Sequence, residues 1–285
     1  MLSFDFMQRA LLAALLVGVV APVIGVHLVQ RRLALLGDGM GHVALTGVGI
    51  SFLMGSSPMP TALVVAVGGS LLVELVRTRS RAAGDLALAL LFYGGIAGGV
   101  MLSSFAAARR PVSLTSYLFG AISTVTRTDV KVLVVTAAVA LLLLAVFGPE
   151  LLSLSIDSDS AAIRGIRVRA MGMLLSALAA VTVVIGMRTV GLLLVSAIMI
   201  VPVAASQQLA RSFRGTMLGA VVVSVLCCLT GVTAGFYASV PPGPAIVLLA
   251  LVVFAISAVL GVRRRSRVAK NTANLGAANE TGAQA

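Results

Sequence analysis

The sequence has few charged residues for its length. Asp, Glu, Lys and Arg make up 11% of its 285 residues, against about a quarter in an ordinary soluble domain. Apolar residues make up 59%, and the mean hydropathy is +1.11. Repeated apolar runs approach the length of about 20 residues that a helix needs to cross a bilayer. This composition excludes an ordinary soluble protein and predicts a polytopic membrane protein.

Other shortages exclude particular chemistries. The only lysines are Lys131 and Lys270, and no Gly-x-x-x-x-Gly-Lys-Ser/Thr loop occurs, so the chain cannot bind ATP as a P-loop protein does. The only cysteines, Cys227 and Cys228, are neighbours that would point about 100° apart on a helix, which favours two buried small side chains. Because no Ser/His/Asp constellation, HExxH helix or CxxC pair is present, an enzyme acting alone is not expected.

About nine apolar runs are long enough to be membrane spans, and they predict an all-α, polytopic membrane helical bundle. These runs cover residues 10–29, 33–54, 60–76, 86–105, 131–147, 170–187, 190–209, 216–237 and 244–262. We expect residues 1–270 to form a single transmembrane domain. Residues 271–285 are small and polar, so they are predicted to be a disordered tail.

The basic residues are scattered between the apolar runs, as the positive-inside rule describes, and do not form a nucleic-acid-binding patch. One set of alternate connections carries Arg31, Arg32, Arg77, Arg79, Arg81, Arg164, Arg167, Arg169, Arg211, Arg214, Arg263, Arg264, Arg265, Arg267 and Lys270. The other set carries Arg9, Arg109, Arg110, Arg127, Lys131 and Arg188. This asymmetry predicts an outer N-terminus and a cytoplasmic C-terminus. An even number of spans would place both termini on the same side and would reduce this charge asymmetry.

Two connections are long enough to contain structure of their own. The outer connection, residues 106–130, contains an apolar segment at 116–120 that is predicted to be a short interfacial helix. The cytoplasmic connection, residues 148–169, is predicted to contain a short capped helix. Asp157 or Ser158 is its candidate N-cap, Asp159 lies in the first turn, where acids are favoured, and Gly165 ends it.

The most informative polar residues inside the apolar runs are Asp38 and His42. Residues four apart lie on one face of a helix, and a carboxylate and an imidazole are suitable ligands for zinc, manganese or ferrous iron. An ionised Asp in the bilayer interior costs at least about 2.5 kcal/mol, which a bound cation would offset. Alternatively, Asp38 caps the second span, and His42 is an interior histidine whose hydrogen bonds are satisfied. The pattern alone does not decide between these interpretations.

Glu74 and His27 lie near the cytoplasmic ends of their spans. Glu74 is close to Arg77 and Arg79, so a carboxylate that reaches towards the interface and pairs with arginine is favoured over transport chemistry. His27 precedes Arg31 by four residues and is expected at the membrane interface, although a ligand role stays open.

The sequence around the start of the second span resembles that of a known family. Arg31-Arg32, followed by Gly37-Asp38 and then His42, is similar to the signature of the membrane permeases of bacterial ABC importers for zinc, manganese and iron. That family more often has Ser in the place of Gly41. The resemblance implies that Asp38 and His42 coordinate the transported metal.

Further segments resemble the same family in the expected order. Residues 113–120 resemble its outer-loop segment, and residues 190–202 and 241–245 complete the match. Residues 157–168 are similar to its cytoplasmic coupling segment, where Ser158, Asp159 and Arg167 replace the usual Pro, Glu and Pro. The resemblance therefore implies contact with an ATPase through Asp157, Ser158, Asp159, Ala161, Arg164 and Gly165.

This resemblance implies a vitamin-importer-like ABC permease fold in the bacterial cytoplasmic membrane. Two permease subunits, a homodimer being favoured, would form the translocation path for Zn²⁺, Mn²⁺ or Fe²⁺. Separate cytoplasmic ABC ATPase subunits would hydrolyse ATP, and an extracellular metal-binding protein would deliver the ion. No permanently bound cofactor and no nucleic-acid partner is expected. The sequence does not select the metal, and it leaves homodimer and heterodimer open.

The residues also leave two rival interpretations. A secondary transporter driven by a proton or sodium gradient would need no capped cytoplasmic helix, but it would be expected to have more intramembrane acids than Asp38 and Glu74. In a membrane scaffold, Asp38 and His42 would only cap and pack. Stable co-purification with a P-loop ATPase distinguishes the importer from both.

Overall fold

The computed structural model describes residues 5–79, 81–107, 117–118, 120, 126–238 and 241–282. Within those ranges the chain is helical, without strands. The helices are α1 (Asp5–Gln30), α2 (Ala34–Met54), α3 (Pro58–Arg77), α4 (Arg81–Ala107), α5 (Arg127–Val146), α6 (Gly148–Ile156), α7 (Ser158–Ile163), α8 (Val168–Thr189), α9 (Leu192–Leu209), α10 (Phe213–Ala238) and α11 (Pro242–Gly282). The predicted all-α architecture is confirmed for the described part of the chain.

Seven of these helices are long and apolar enough to cross a membrane: α1, α3, α4, α5, α8, α10 and α11. They correspond to seven of the nine predicted spans. The other two predicted spans, residues 33–54 and 190–209, coincide with α2 and α9. Asp38, His42 and several glycines lower the hydropathy of α2, and the described apolar part of α9 is short, Leu194–Leu209.

Local sequence explains where several helices begin and end. Pro58 occupies the first turn of α3, where its missing N–H costs no intrahelical hydrogen bond. Thr126 and Asp129 form a reciprocal capping box at the start of α5. Gly55 ends α2 in the left-handed conformation, with φ of 66°, which glycine adopts without a steric penalty.

Helix α1 is central to the bundle and packs against α5, α8, α9 and α10, while α2 packs against α3, α4, α8 and α9. Small residues allow the closest of these approaches. A Cβ built at Gly95 of α4 would lie 2.6 Å from the backbone carbon of His42. The backbones of α2 and α4 therefore touch at the level of His42, and this contact fixes the depth of that imidazole in the bundle.

The connection at 148–169 differs from the prediction of one short helix. It contains two helices, α6 and α7, because residues 148–156 also form a helix. Pro149 lies in the first turn of α6, and burial of Leu151, Leu154 and Ser155 attaches this helix to the bundle. The α6–α7 pair is hereafter the short helix pair.

Two predicted features lie at or beyond the limits of the described residues. Residues 113–116 and 119 of the outer-loop segment lie outside them, so the interfacial helix stays a prediction. At the other end of the chain, the apolar part of α11 ends at Val262 and the helix continues to Gly282, through most of the predicted tail. The division of the chain at residue 270 stays a prediction.

Both cysteines match the expectation from sequence. Cys227 and Cys228 are free and buried in α10. The Cβ that a side chain at Gly18 of α1 would carry lies 3.2 Å from Cys228 Sγ. Cys228 therefore fills space at the contact between α1 and α10, as a small hydrophobic residue would.

Candidate metal site

Asp38 lies within α2 and does not cap it. The helix begins at Ala34, its N-cap is Leu33, and no side chain makes a capping hydrogen bond there. The capping interpretation of Asp38 is therefore wrong. That interpretation fails because the helix starts a full turn before Asp38, so the amides that Asp38 would cap already have intrahelical partners.

Asp38 and His42 lie on the same face of α2, as their spacing predicts. Asp38 Oδ1 is 3.8 Å from His42 Nε2, and the exposed fractions of the two side chains are 29% and 10%. The carboxylate is thus the more accessible of the two donors. An oxygen and a nitrogen at this separation can both ligate one transition-metal ion.

His42 is held by packing more than by hydrogen bonds. Its ring meets Phe92 of α4 edge to face, with centroids 4.5 Å apart. Its Nδ1 is buried and has no hydrogen-bond partner among the described residues. His42 is therefore not the satisfied interior histidine of the alternative interpretation, and its Nε2 is the ring nitrogen that faces Asp38.

Ser196 of α9 completes this arrangement and was missed by the sequence analysis. Its Oγ donates a hydrogen bond of 3.2 Å to Asp38 Oδ1, across 158 positions of the sequence. No spacing rule connects residues so far apart. The available signal was weaker: Ser196 is the one polar side chain between Leu192 and Val203. Asp38, His42 and Ser196 are hereafter the site trio.

The site trio holds only two strong metal ligands. Among the described residues, no group of three or more His, Cys, Asp or Glu side chains could hold a metal ion. A zinc or manganese ion takes four to six ligands. Any ion at this position therefore needs further donors besides Asp38 and His42.

Glu74 is not placed as the sequence analysis expected. Its pairing with arginine is confirmed, since Arg31 Nη2 and Arg77 Nη2 lie 3.1 and 3.0 Å from Glu74 Oε1. Its side chain is 2% exposed, however, so it is buried in the bundle and does not reach to the interface. Two arginines that donate to one carboxylate neutralise it, and the cluster repels cations more than it attracts them.

His27 is also more buried than expected, at 4% exposure. Ser155 Oγ donates to the carbonyl of Leu151 at 2.6 Å and lies 3.2 Å from His27 Nδ1. Because the single hydroxyl proton of Ser155 is used on Leu151, we assign the proton of this second hydrogen bond to His27 Nδ1. His27 thereby connects α1 to the end of α6, close to α7.

The predicted capping of α7 is confirmed at Asp157. Asp157 Oδ1 accepts from the Asp159 amide at 3.0 Å, Ser160 Oγ donates to Asp157 Oδ2, and φ of Gly165 is +80° at the end of the segment. The Ser160 hydroxyl, followed by the Asp159 amide, lowers the pKa of Asp157 below its usual range. Its folded pKa is depressed, so the cap contributes stability above the unfolded pKa and loses it as the pH falls through the folded pKa.

The surface of α7 is suited to contact with another protein. Ile156, the last residue of α6, is 77% exposed, and Ile163, the last residue of α7, is 88% exposed, with the exposed Arg164 next to it. Ala161 faces the other way and is buried. The short helix pair thus presents apolar and charged groups outward, while buried residues of α6 anchor it to the bundle.

Comparison of this sequence with known proteins finds a family model and relatives that agree with one another. The sequence matches the ABC 3 transport family over residues 3–261. It is 32% identical over 257 residues to the manganese transport system membrane protein MntC of Halalkalibacterium halodurans, a match that covers 90% of this chain and 88% of that protein. It is 28% identical over 255 residues to the chelated iron transport system membrane protein YfeD of Yersinia pestis, with coverages of 90% and 85%.

A similar fold occurs in a solved protein structure. The structure of PsaBC from Streptococcus pneumoniae in complex with Fab superposes on this chain with a TM-score of 0.76 and 30% sequence identity. The match covers 89% of this chain and 91% of that one. Likeness over this share of both chains means that most of the helical bundle is shared.

Proposed function

Because the chain belongs to the ABC 3 transport family, we propose that it is the membrane-spanning subunit of an ATP-driven importer for a divalent transition-metal ion. The transported ion would be Zn²⁺ or Mn²⁺, and Fe²⁺ is a further candidate. The observation that carries this proposal is the pairing of Asp38 and His42 inside the bundle. The names of relatives, which include manganese and chelated-iron transport proteins, support the substrate class.

The chemistry of the site trio suits an ion in transit. The carboxylate of Asp38 offsets the cost of removing a cation from water, and the imidazole of His42 adds a ligand that divalent transition metals prefer. Among the described residues of one chain, only Asp38 and His42 are strong ligands at this position. Such a site binds the ion strongly enough to admit it and weakly enough to release it.

The proposal includes an assembly. Two permease subunits, in our proposal two copies of this chain, would form a central path in a vitamin-importer-like fold with nine spans per subunit, α2 and α9 included. Residues 1–270 would form the permease domain, with the N-terminus outside and the C-terminus in the cytoplasm of a bacterium. An extracellular metal-binding protein would load the path, and a cytoplasmic ABC ATPase would supply the energy.

We propose that the short helix pair faces the cytoplasm and transmits ATPase movement to the bundle. Asp157, Ser158, Asp159, Ala161, Arg164 and Gly165 build α7 and its end. The exposed Ile156 and Ile163 would pack on the ATPase, and the His27–Ser155 hydrogen bond would pass displacement of α6 to α1. Helix α1 packs in turn against α9, which carries Ser196.

Metal uptake by intact cells tests the proposed function. Cells that lack the chain, starved of manganese, zinc and iron in turn, are complemented with the wild-type chain, and their metal content is measured by elemental analysis. Restoration of one metal is expected. The tagged chain is then purified from the same membranes, and a P-loop ATPase is expected to co-purify. A wild-type chain that restores no metal contradicts the importer, and uptake without an associated ATPase favours a secondary transporter.

Replacement of Asp157 by lysine should separate ATP hydrolysis from transport. The substitution removes the acceptor for the Asp159 amide and the Ser160 hydroxyl, and it places a positive charge at a helix N-terminus, where the dipole disfavours it. We expect uptake per molecule of ATP hydrolysed to fall by about tenfold, within the usual range of coupling between two sites.

The matched control is Asp5→Lys, which changes another exposed acid at the start of a different helix. Purified complexes in lipid vesicles are assayed for phosphate release and metal uptake together. The assignment of α7 to coupling is incorrect if Asp157→Lys retains the wild-type ratio of uptake to hydrolysis while its complex with the ATPase stays intact.

A further inference from the structure

Ser196 occupies a position that chain packing defines closely. It is 5% exposed, in a part of α9 whose neighbours Val195 and Ile198 are fully buried. On both sides of it α9 packs against glycines of α2. A Cβ at Gly37 would lie 3.1 Å from Met199 Sδ, and a Cβ at Gly41 would collide with the Leu192 side chain. Asp38 lies next to the first of these glycines, so the two glycine contacts fix the depth at which Ser196 meets it.

The hydroxyl of Ser196 lies within reach of Asp38 and of a backbone carbonyl, among the residues that the structure describes. Its Oγ is 3.2 Å from Asp38 Oδ1 and 3.4 Å from the carbonyl oxygen of Leu192 in its own helix. A serine hydroxyl has one proton and two lone pairs, and it rotates to suit its partners. When the proton is donated to Leu192, a lone pair of Oγ becomes available on the side of Asp38.

The distances within the site trio suit a shared cation. Asp38 Oδ1 is the common atom, 3.2 Å from Ser196 Oγ and 3.8 Å from His42 Nε2. Two ligands on neighbouring positions of an octahedral ion, with bonds of about 2.2 Å, stand about 3.1 Å apart. The two oxygens therefore have the spacing of neighbouring ligands, and the imidazole nitrogen fits a wider angle.

We propose that Ser196 is a third ligand of the transported ion, and that its hydroxyl alternates between two roles. Without an ion, it donates to Asp38 and holds the carboxylate in place. When the cation binds, the hydroxyl turns its proton to the Leu192 carbonyl and offers its oxygen to the metal. No covalent bond is made or broken. This inference rests on the proposed function, because it assumes that a divalent metal ion reaches Asp38.

The proposal has a consequence for selectivity. Two oxygens and one nitrogen favour a harder ion such as Mn²⁺, whereas a thiol in the place of the Ser196 hydroxyl would favour softer Cd²⁺ or Zn²⁺. The Ser196→Cys substitution changes one atom at nearly constant volume. It is therefore expected to shift the binding preference by about tenfold from Mn²⁺ towards Cd²⁺, without a change in the position of α9.

The direct test is spectroscopic and uses the purified full-length chain with its associated subunits in detergent. Cd²⁺ is added to wild type and to Ser196→Cys, and the ultraviolet thiolate-to-cadmium charge-transfer band is measured as a difference from wild type, which removes any signal from Cys227 and Cys228. The band is expected in Ser196→Cys. The matched control is Ser51→Cys, since Ser51 is a buried serine of α2 whose hydroxyl donates to the Val48 carbonyl of its own helix.

The second measurement is competition of Cd²⁺ with Mn²⁺, followed by electron paramagnetic resonance of free Mn²⁺. Both the normalised band and the competition ratio are independent of how much variant protein is obtained. Addition of Asp38→Ala to Ser196→Cys should abolish the band, because the thiolate loses its partner ligand. A structural role of Ser196 alone predicts neither the band nor the shift.

The outcomes separate this inference from the proposed function. If wild-type cells take up metal and Asp38→Ala cells do not, but Ser196→Cys shows neither band nor shift, the role of Ser196 is refuted and the importer stands. If Cd²⁺ binds Ser51→Cys in the same way, the signal is non-specific and the inference is refuted as well. If the wild-type chain restores no metal to starved cells, the proposed function fails, and the inference fails with it.

Discussion

Replacing Asp38 with asparagine is expected to reduce metal uptake by about 100-fold or more. The substitution retains the size of the side chain and an oxygen that can accept from Ser196 Oγ, but it removes the negative charge. Loss of a partner outside the ligand shell of a metal costs about 10- to 100-fold in affinity or activity, so loss of a direct ligand should cost at least the upper value. Initial uptake rates in complemented, metal-starved cells measure the effect.

The same experiment includes His42→Ala and a control. His42→Ala should fail as Asp38→Asn does, because both donors come from one face of α2. Asp85→Asn changes an exposed acid of α4 and should leave uptake unchanged. Membrane levels of all three variants are matched by immunoblotting. Full uptake by Asp38→Asn at a matched level would show that this carboxylate is structural and that the ion takes another path.

Replacing Glu74 with glutamine is expected to destabilise the folded protein by about 3–5 kcal/mol. This is the cost of breaking a buried ion pair when one partner is removed and the other charge stays buried. Glu74 faces two guanidinium groups and is 2% exposed, and the side chain of Arg31 is 7% exposed. Thermal unfolding in detergent and the yield of monodisperse protein measure the loss.

Two controls identify the cause of this loss. Asp5→Asn breaks the exposed pair between Asp5 and Arg127, at 3.8 Å, and should change the unfolding free energy by less than about 1 kcal/mol. The double variant Glu74→Gln/Arg31→Gln should lose less free energy of unfolding than the two single variants lose in sum, because both charges of the pair are removed together. The opposite pattern, with wild-type stability and lost uptake in Glu74→Gln, would place Glu74 in the ion path.

Sequence reasoning was most successful where structure depends on neighbours along the chain. The apolar runs locate the helices, because burying backbone polar groups in lipid requires helical hydrogen bonds within each run. The capped helix at Asp157 and the shared face of Asp38 and His42 follow from spacings of a few residues. The same reasoning did not find α6, since a nine-residue helix with a short apolar face resembles a loop in composition.

Burial of polar side chains could not be read from the sequence. His27 and Glu74 were both expected towards the interface, where long or amphipathic side chains near helix ends commonly reach. Each is buried because a partner from a distant segment meets it. Ser155 lies 128 positions from His27, and Arg31 lies 43 positions from Glu74.

The sequence by itself determined that this chain is a helical membrane protein, and it identified Asp38 and His42 as the candidate metal donors. Tertiary structure alone decided that Ser196 meets them and that Arg31 joins Arg77 at the buried carboxylate of Glu74. The physical reason is the range of the interactions. Hydropathy and helical periodicity act over a few turns, whereas the glycine contacts between α2 and α9 join segments far apart in the chain and set which side chains share a site.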